Sequence, residues 1–203
     1  GGSRSAVGRI PSAAPCSGIW GSSPSDVWGI NDWGGAHHWN GTEWTRASPG
    51  AAGPLADVHG TGPDDVWTAG ETGYGANPTL FHWDGRAWSP FVAGEVSCSV
   101  RAIRAFAPDE AWAVCGPDVL HWNGSAWRWD HTEPFVLHAI WGASPDDLWV
   151  AGEDGHLAHR DGTTWSGPTC MPAGPWDLEA LWGFPDGDVW AAGALGTVLR
   201  LRR

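Results

Sequence analysis

The sequence predicts an all-β fold, a five-bladed β-propeller of four-stranded antiparallel blades, and three observations predict it. A short motif recurs five times, as Asp26-Val27-Trp28, Asp65-Val66-Trp67, Glu110-Ala111-Trp112, Asp147-Leu148-Trp149 and Asp188-Val189-Trp190. The steps between its tryptophans are 39, 45, 37 and 41 residues. A period near 40 on strand-type residues describes a propeller blade and not a helical solenoid. The chain also holds 18 Trp, 30 Gly and 16 Pro against one Tyr and five Phe, which suits many short strands joined by tight turns. Four units carry Asn-Gly or Asp-Gly near their ends (Asn40-Gly41, Asp84-Gly85, Asn123-Gly124, Asp161-Gly162). That pair is a strong hairpin signal, because both positions tolerate a positive φ.

Each unit divides into four strands. The first carries a Trp-Gly step, as in Ile19-Trp20-Gly21, Ile140-Trp141-Gly142 and Leu181-Trp182-Gly183, with Val58-His59-Gly60 and Ile103-Arg104-Ala105 as variants. A Pro-Asp turn follows, since Pro presets the turn and Asp caps it. The second strand holds the recurrent Trp and ends in Gly. The third reads Leu80-Phe81-His82-Trp83 or Val119-Leu120-His121-Trp122, and the fourth is marked by Trp44, Trp88, Trp127 and Trp165. One domain over 1–203 is expected, with blades near 17–48, 56–91, 99–130, 137–168 and 179–203. The fifth unit has no fourth strand, so residues 3–12 are expected to supply it and close the ring. A piece of a longer array is the alternative, since terminal repeats need capping.

The formal net charge of −12 disfavours nucleic acid and anionic membrane surfaces as partners. No apolar run approaches a membrane span. Cys16, Cys98, Cys115 and Cys170 form no Cys-x-x-Cys pair, so a structural zinc is not expected, and neither is a cofactor. Placing the cysteines in the repeat register pairs Cys16 with Cys170 across the seam of the ring, and Cys98 with Cys115 within blade three. Two disulfides imply export, to the periplasm, the cell surface or the medium. Four buried thiols are the alternative.

The run Trp-Gly-x-x-Pro-x-Asp-Val-Trp-x-x-Gly, followed by His-Trp-Asp-Gly-x-x-Trp, resembles Trp-rich β-propeller repeats of exported bacterial proteins. It is broadly similar to the WD-type propeller class, and the blade count resembles tachylectin-2-like lectins. This resemblance implies a binding module. It also implies a structural His–Asp network in each blade, here His38, His82, His121 and His159 with Asp26, Asp65, Asp147 and Asp188, because a buried polar side chain needs such a partner. Trp28, Trp67, Trp112, Trp149 and Trp190 are expected to fill the wedges between blades. His159-Arg160-Asp161 looks like a kinase triplet, but it aligns with His82-Trp83-Asp84 and no Gly-rich loop accompanies it.

Residues that break the repeat are the candidates for function. In a four-stranded meander the two-to-three and four-to-one connections leave by one face, and the insertions collect there. The expected ligand contacts are Trp33, Tyr74, Trp129 and Trp176, with Asp32, His37, Asn77 and Asp177 as polar partners. Aromatic rings edged with carboxylates and amides suit sugars, and they also suit cations. The expectation is a non-catalytic, lectin-like module for a carbohydrate or glycoconjugate. A protein-interaction scaffold and a propeller glycoside hydrolase are the alternatives; against the hydrolase, no acid–base carboxylate pair in distinct environments is visible.

Overall fold

A computed structural model describes residues 10, 14–70, 79–92, 98–166, 176–185 and 187–201. Among them, blade one comprises β1 (Cys16–Ser23), β2 (Asp26–Asn31), β3 (Ala36–Trp39) and β4 (Trp44–Arg46). Blade two comprises β5 (Leu55–Gly62), β6 (Asp65–Gly70), β7 (Thr79–Trp83) and β8 (Trp88–Val92). Blade three is β9 (Val100–Ala107), β10 (Glu110–Cys115), β11 (Asp118–Trp122) and β12 (Trp127–Thr132). Blade four is β13 (Leu137–Ser144), β14 (Asp147–Gly152), β15 (Leu157–Asp161) and β16 (Thr164–Ser166), and blade five is β17 (Leu178–Gly183), β18 (Val189–Gly193) and β19 (Val198–Leu201). Every sheet is an antiparallel meander in sequence order. The inner strands β1, β5, β9, β13 and β17 lie side by side in that order, so the blades wind about a central channel. The chain is therefore an all-β propeller of five blades. Residues 3–12, expected as its closing strand, lie outside the described residues except Ile10, whose side chain packs over Gly29 of β2.

The repeated residues explain the blade. At the first hairpin, Asn40 Oδ1 accepts the amides of Thr42 and Glu43, and the same carboxylate or amide oxygen recurs at Asp84 and Asn123. Only the glycine of each pair is left-handed, with φ of 92° at Gly41 and 83° at Gly124. In blade one the loop has four residues, with Trp39 paired to Trp44, whereas in blade four Asp161 pairs with Thr164 across two. The Pro-Asp turns are tied down from strand three, where Trp39, Trp83 and Trp122 donate their indole N–H to the carbonyls of Pro24, Pro63 and Pro108.

In blades one to four the strand-three imidazole lies flat on the strand-two indole, at 4.2–4.6 Å between centroids. Its Nε2 reaches the acid that opens strand two: His38 to Asp26 and His82 to Asp65 at 2.6 Å, His121 to Glu110 and His159 to Asp147 at 2.8 Å. In blade five Arg200 takes both parts, pairing with Asp188 and lying over Trp190. In blades one and two the same acid accepts Ser22 or Thr61. The resulting Ser/Thr–Asp–His chain has the residue types of a hydrolytic triad in the wrong order: the hydroxyl bonds the carboxylate, and no base faces it.

Blades join through aromatic wedges. Trp28 meets Trp83 at 5.2 Å and Trp88 at 5.1 Å in the following blade, and Trp67 meets Trp122 and Trp127 in the same way. Trp28, Trp67 and Trp112 are fully buried, as expected. Trp190, also expected in the core, is 39% exposed, because among the described residues no blade covers its face and β17 does not neighbour β1.

Candidate functional site

The expected ligand contacts that fall among the described residues are spread over several parts of the repeat. Trp33 stands 70% exposed on the β2–β3 turn, held by the buried Asn31, whose Oδ1 accepts the amides of Trp33 and Gly35. Asp32 beside it is exposed. His37 is not a loop residue: it lies in β3, paired with Gly29 and Arg46, and only 2% exposed. Burial lowers its pKa, and the Arg46 charge adds to this. Trp129 belongs to β12 and not to a connection, because the outer strand of blade three runs six residues. It is 58% exposed, with its indole N–H shared between Thr132 and Asp118. Asp130 and His131 on the same strand bind and stack on Trp165, which ties blade three to blade four. Asp177 accepts the Asp154 amide and so anchors the β14–β15 turn, while Trp176 next to it is 39% exposed. Tyr74, Asn77 and Cys170 lie outside the described residues. Cys16 is exposed and unbridged, whereas Cys98 and Cys115 form a disulfide with Cα atoms 5.5 Å apart.

What the fold does bring together is a row of five residues that the motif register passes over. Near the start of every inner strand the ladder skips one residue. Cys16 and Gly18 pair with Asn31 and Ile30, which leaves Ser17 unpaired, and in the same way Ala56, Arg101, His138 and Glu179 are left out in blades two to five. Such bulges re-aim a side chain out of the ladder. All five lie at the strand end from which the two-to-three and four-to-one connections leave, and the last four line a cleft of about 290 Å³ at the channel mouth. Ala102, Ala139 and Ala180 form its floor, with the buried Asp57 at one side.

The chemistry of the cleft is mixed. Arg101 and Glu179 are exposed and carry opposite charges. His138, whose side chain is 9% exposed, places Nδ1 3.3 Å from Glu179 Oε2, close but not aligned as a hydrogen bond. Asp57 is committed: its two oxygens accept the amides of Val58 at 2.8 Å and of Ile103, one blade on, at 2.9 Å. Burial raises its pKa from 3.8 to about 6, against the pull of those two amides and of Arg104. Ser17 Oγ donates to the Leu55 carbonyl and faces no base. One level down, His59 accepts from Arg104 at 2.8 Å, and burial together with that cation holds its pKa at about 3. Beside the buried Asp57, the mouth thus presents a cation, an imidazole and a carboxylate on three consecutive blades. No cluster of three or more metal-ligating side chains occurs among the described residues.

The signal for this row was present in the sequence. At one register position, three before the step residue, the units carry Ser, Ala, Arg, His and Glu. A position that differs in every copy of a regular repeat is free of the blade's own demands.

No protein-family model matches the chain, and no curated protein matches it. Among solved structures it is similar to YCF48 bound to a D1 peptide, at 16% identity and TM-score 0.71, over 96% of this chain and 66% of that one. It is likewise similar to the WD40 propeller domain of Doa1, at 12% identity and TM-score 0.73, over 93% and 68%. A third is streptogramin B lyase, at 13% identity and TM-score 0.71, over 95% and 71%. These likenesses concern the fold, and the chain spans about two thirds of each neighbour's length.

Proposed function

We propose that the chain is a non-catalytic binding module that takes a polypeptide segment at the channel mouth, on its loop-rich face. The observation that carries this reading is the bulge row, which turns Arg101, His138 and Glu179 from three blades into one cleft. Two opposite charges flanking an imidazole ring, beside a lining of alanines, match a short peptide stretch, with Arg101 facing a carboxylate and Glu179 facing an amine. The peptide held by one structural neighbour gives this reading support. The Cys98–Cys115 disulfide fits an exported protein, and it staples β9 close to Arg101.

The test is an array of short unstructured peptides probed with native protein and with the Arg101→Glu and Glu179→Arg variants. Hits should lose binding in either variant and keep it in Trp33→Ala with Trp129→Ala. A second reading, carbohydrate stacking, draws on the exposure of Trp33 and Trp129 themselves. A parallel glycan array decides between them: sugar binding lost with the two tryptophans and indifferent to Arg101 and Glu179 would replace the peptide reading.

A further inference from the structure

We propose that the faces of blade five and blade one are docking surfaces for about two further blades of this same repeat. The inner joints show how such a surface is built. An aromatic ring of one blade lies over the step glycine of the next: a Cβ on Gly60 would meet Trp20 at 2.8 Å, one on Gly142 would meet Phe106 at 2.9 Å, and one on Gly183 would meet Trp141 at 3.0 Å. The residue before each Trp-Gly step seals the joint from the other side, and Val58, Ile103 and Ile140 are 3%, 2% and 8% exposed.

Blade five offers the same ring-bearing face uncovered, with Trp182 56%, Trp190 39% and Val198 62% exposed. Blade one offers the receiving face: Ile19 is 71% exposed, the atoms nearest the Cβ position of Gly21 belong to Asp26 and Val27 of its own blade, and the Ile10 side chain covers only the neighbourhood of Gly29. Two complementary halves of one joint stand open, since β1 and β17 are not neighbours among the described residues. Apolar surface of this kind marks an interface. The occupant must present a step glycine to blade five and a ring to blade one, and a blade of this repeat does both. The number follows from the comparisons: nearly all of this chain matches 66–71% of three propellers, and five blades at that share leave an arc of about two.

The register supplies a direct test. Leu201 pairs with Val189 as Arg160 pairs with Leu148, so residues 161–201 appended after Leu201 complete blade five and add one blade in phase. Chains with zero, one and two such copies are compared by melting temperature, acrylamide quenching and sedimentation. Two copies should raise the melting temperature by at least about 5 °C and protect tryptophan from quencher, and Trp182→Asp with Trp190→Asp should abolish both gains. In the 203-residue chain the same double substitution should leave the melting temperature within about 2 °C. Large destabilisation there would mean that the faces already meet each other, and would overturn the proposal. A dimer of the 203-residue chain broken by that substitution would assign the surface to a second copy and would also overturn it, as would a two-copy chain no more stable than the original.

Discussion

Asp57 is a carboxyl group held inside a protein by two backbone amides, and its protonation should be legible in stability. Its pKa stands near 6 in the folded chain, against 3.8 for an unperturbed group. The sign follows from linkage. Below pH 3.8 both folded and unfolded chains hold the proton, and the group costs nothing. Between pH 3.8 and about 6 the unfolded chain releases it first, so folding weakens as pH rises, and above pH 6 the loss is complete. The move from 3.8 to about 6 corresponds to about 3 kcal/mol. Asp57→Asn removes this titration while keeping the shape. Its single carbonyl satisfies only one of the Val58 and Ile103 amides, a pH-independent cost of about 1–3 kcal/mol. Urea denaturation followed by tryptophan fluorescence, from pH 4 to pH 7, gives the two stability curves. Their difference should shift by about 2.4 kcal/mol in favour of Asp57→Asn across that window, since all other groups cancel. Parallel curves, or a shift of the opposite sign, would refute the reasoning.

Two further outcomes follow from the joints of the fold. Gly60→Ala drives a Cβ into the Asp65 carbonyl and the Trp20 ring, and should cost about 1–3 kcal/mol in thermal denaturation, whereas Gly62→Ala, whose nearest neighbour would be 3.5 Å away, should be nearly silent. Replacing Cys98 and Cys115 with serine and alanine opens a cross-link spanning 17 residues, and should lower stability by about 3 kcal/mol in chemical denaturation under oxidising conditions.

The blades are legible because each repeated residue answers a local demand that recurs from blade to blade. The step Trp needs a glycine in the next blade, the strand-three His needs the acid of strand two, and the hairpin needs a left-handed glycine. Individual loops were not legible on those terms. His37 was placed in a connection because nothing in Gly34-Gly35-Ala36-His37 marks where β3 begins, yet the strand starts at Ala36 and draws the ring inside. The end of the strand that holds Trp129 carries no signal because outer strands have no punctuation, and β12 runs on to Thr132 where β4 and β16 stop after three residues. The channel mouth escaped because a bulge is a property of pairing, invisible along a single strand: Arg101, His138 and Glu179 each sit among ordinary strand residues, and only the skipped partner on the second strand turns them outward.

The five skipped residues carry a consequence for how such a protein changes. A side chain outside the ladder contributes no cross-strand pair, so exchanging it leaves the hydrogen bonds of its blade untouched. Blades two to five therefore each offer one socket whose occupant stands outside the ladder, and four sockets around one opening make an alphabet larger than any single blade could hold. Recognition in this architecture can be rewritten one letter at a time, with the scaffold never asked to refold between spellings.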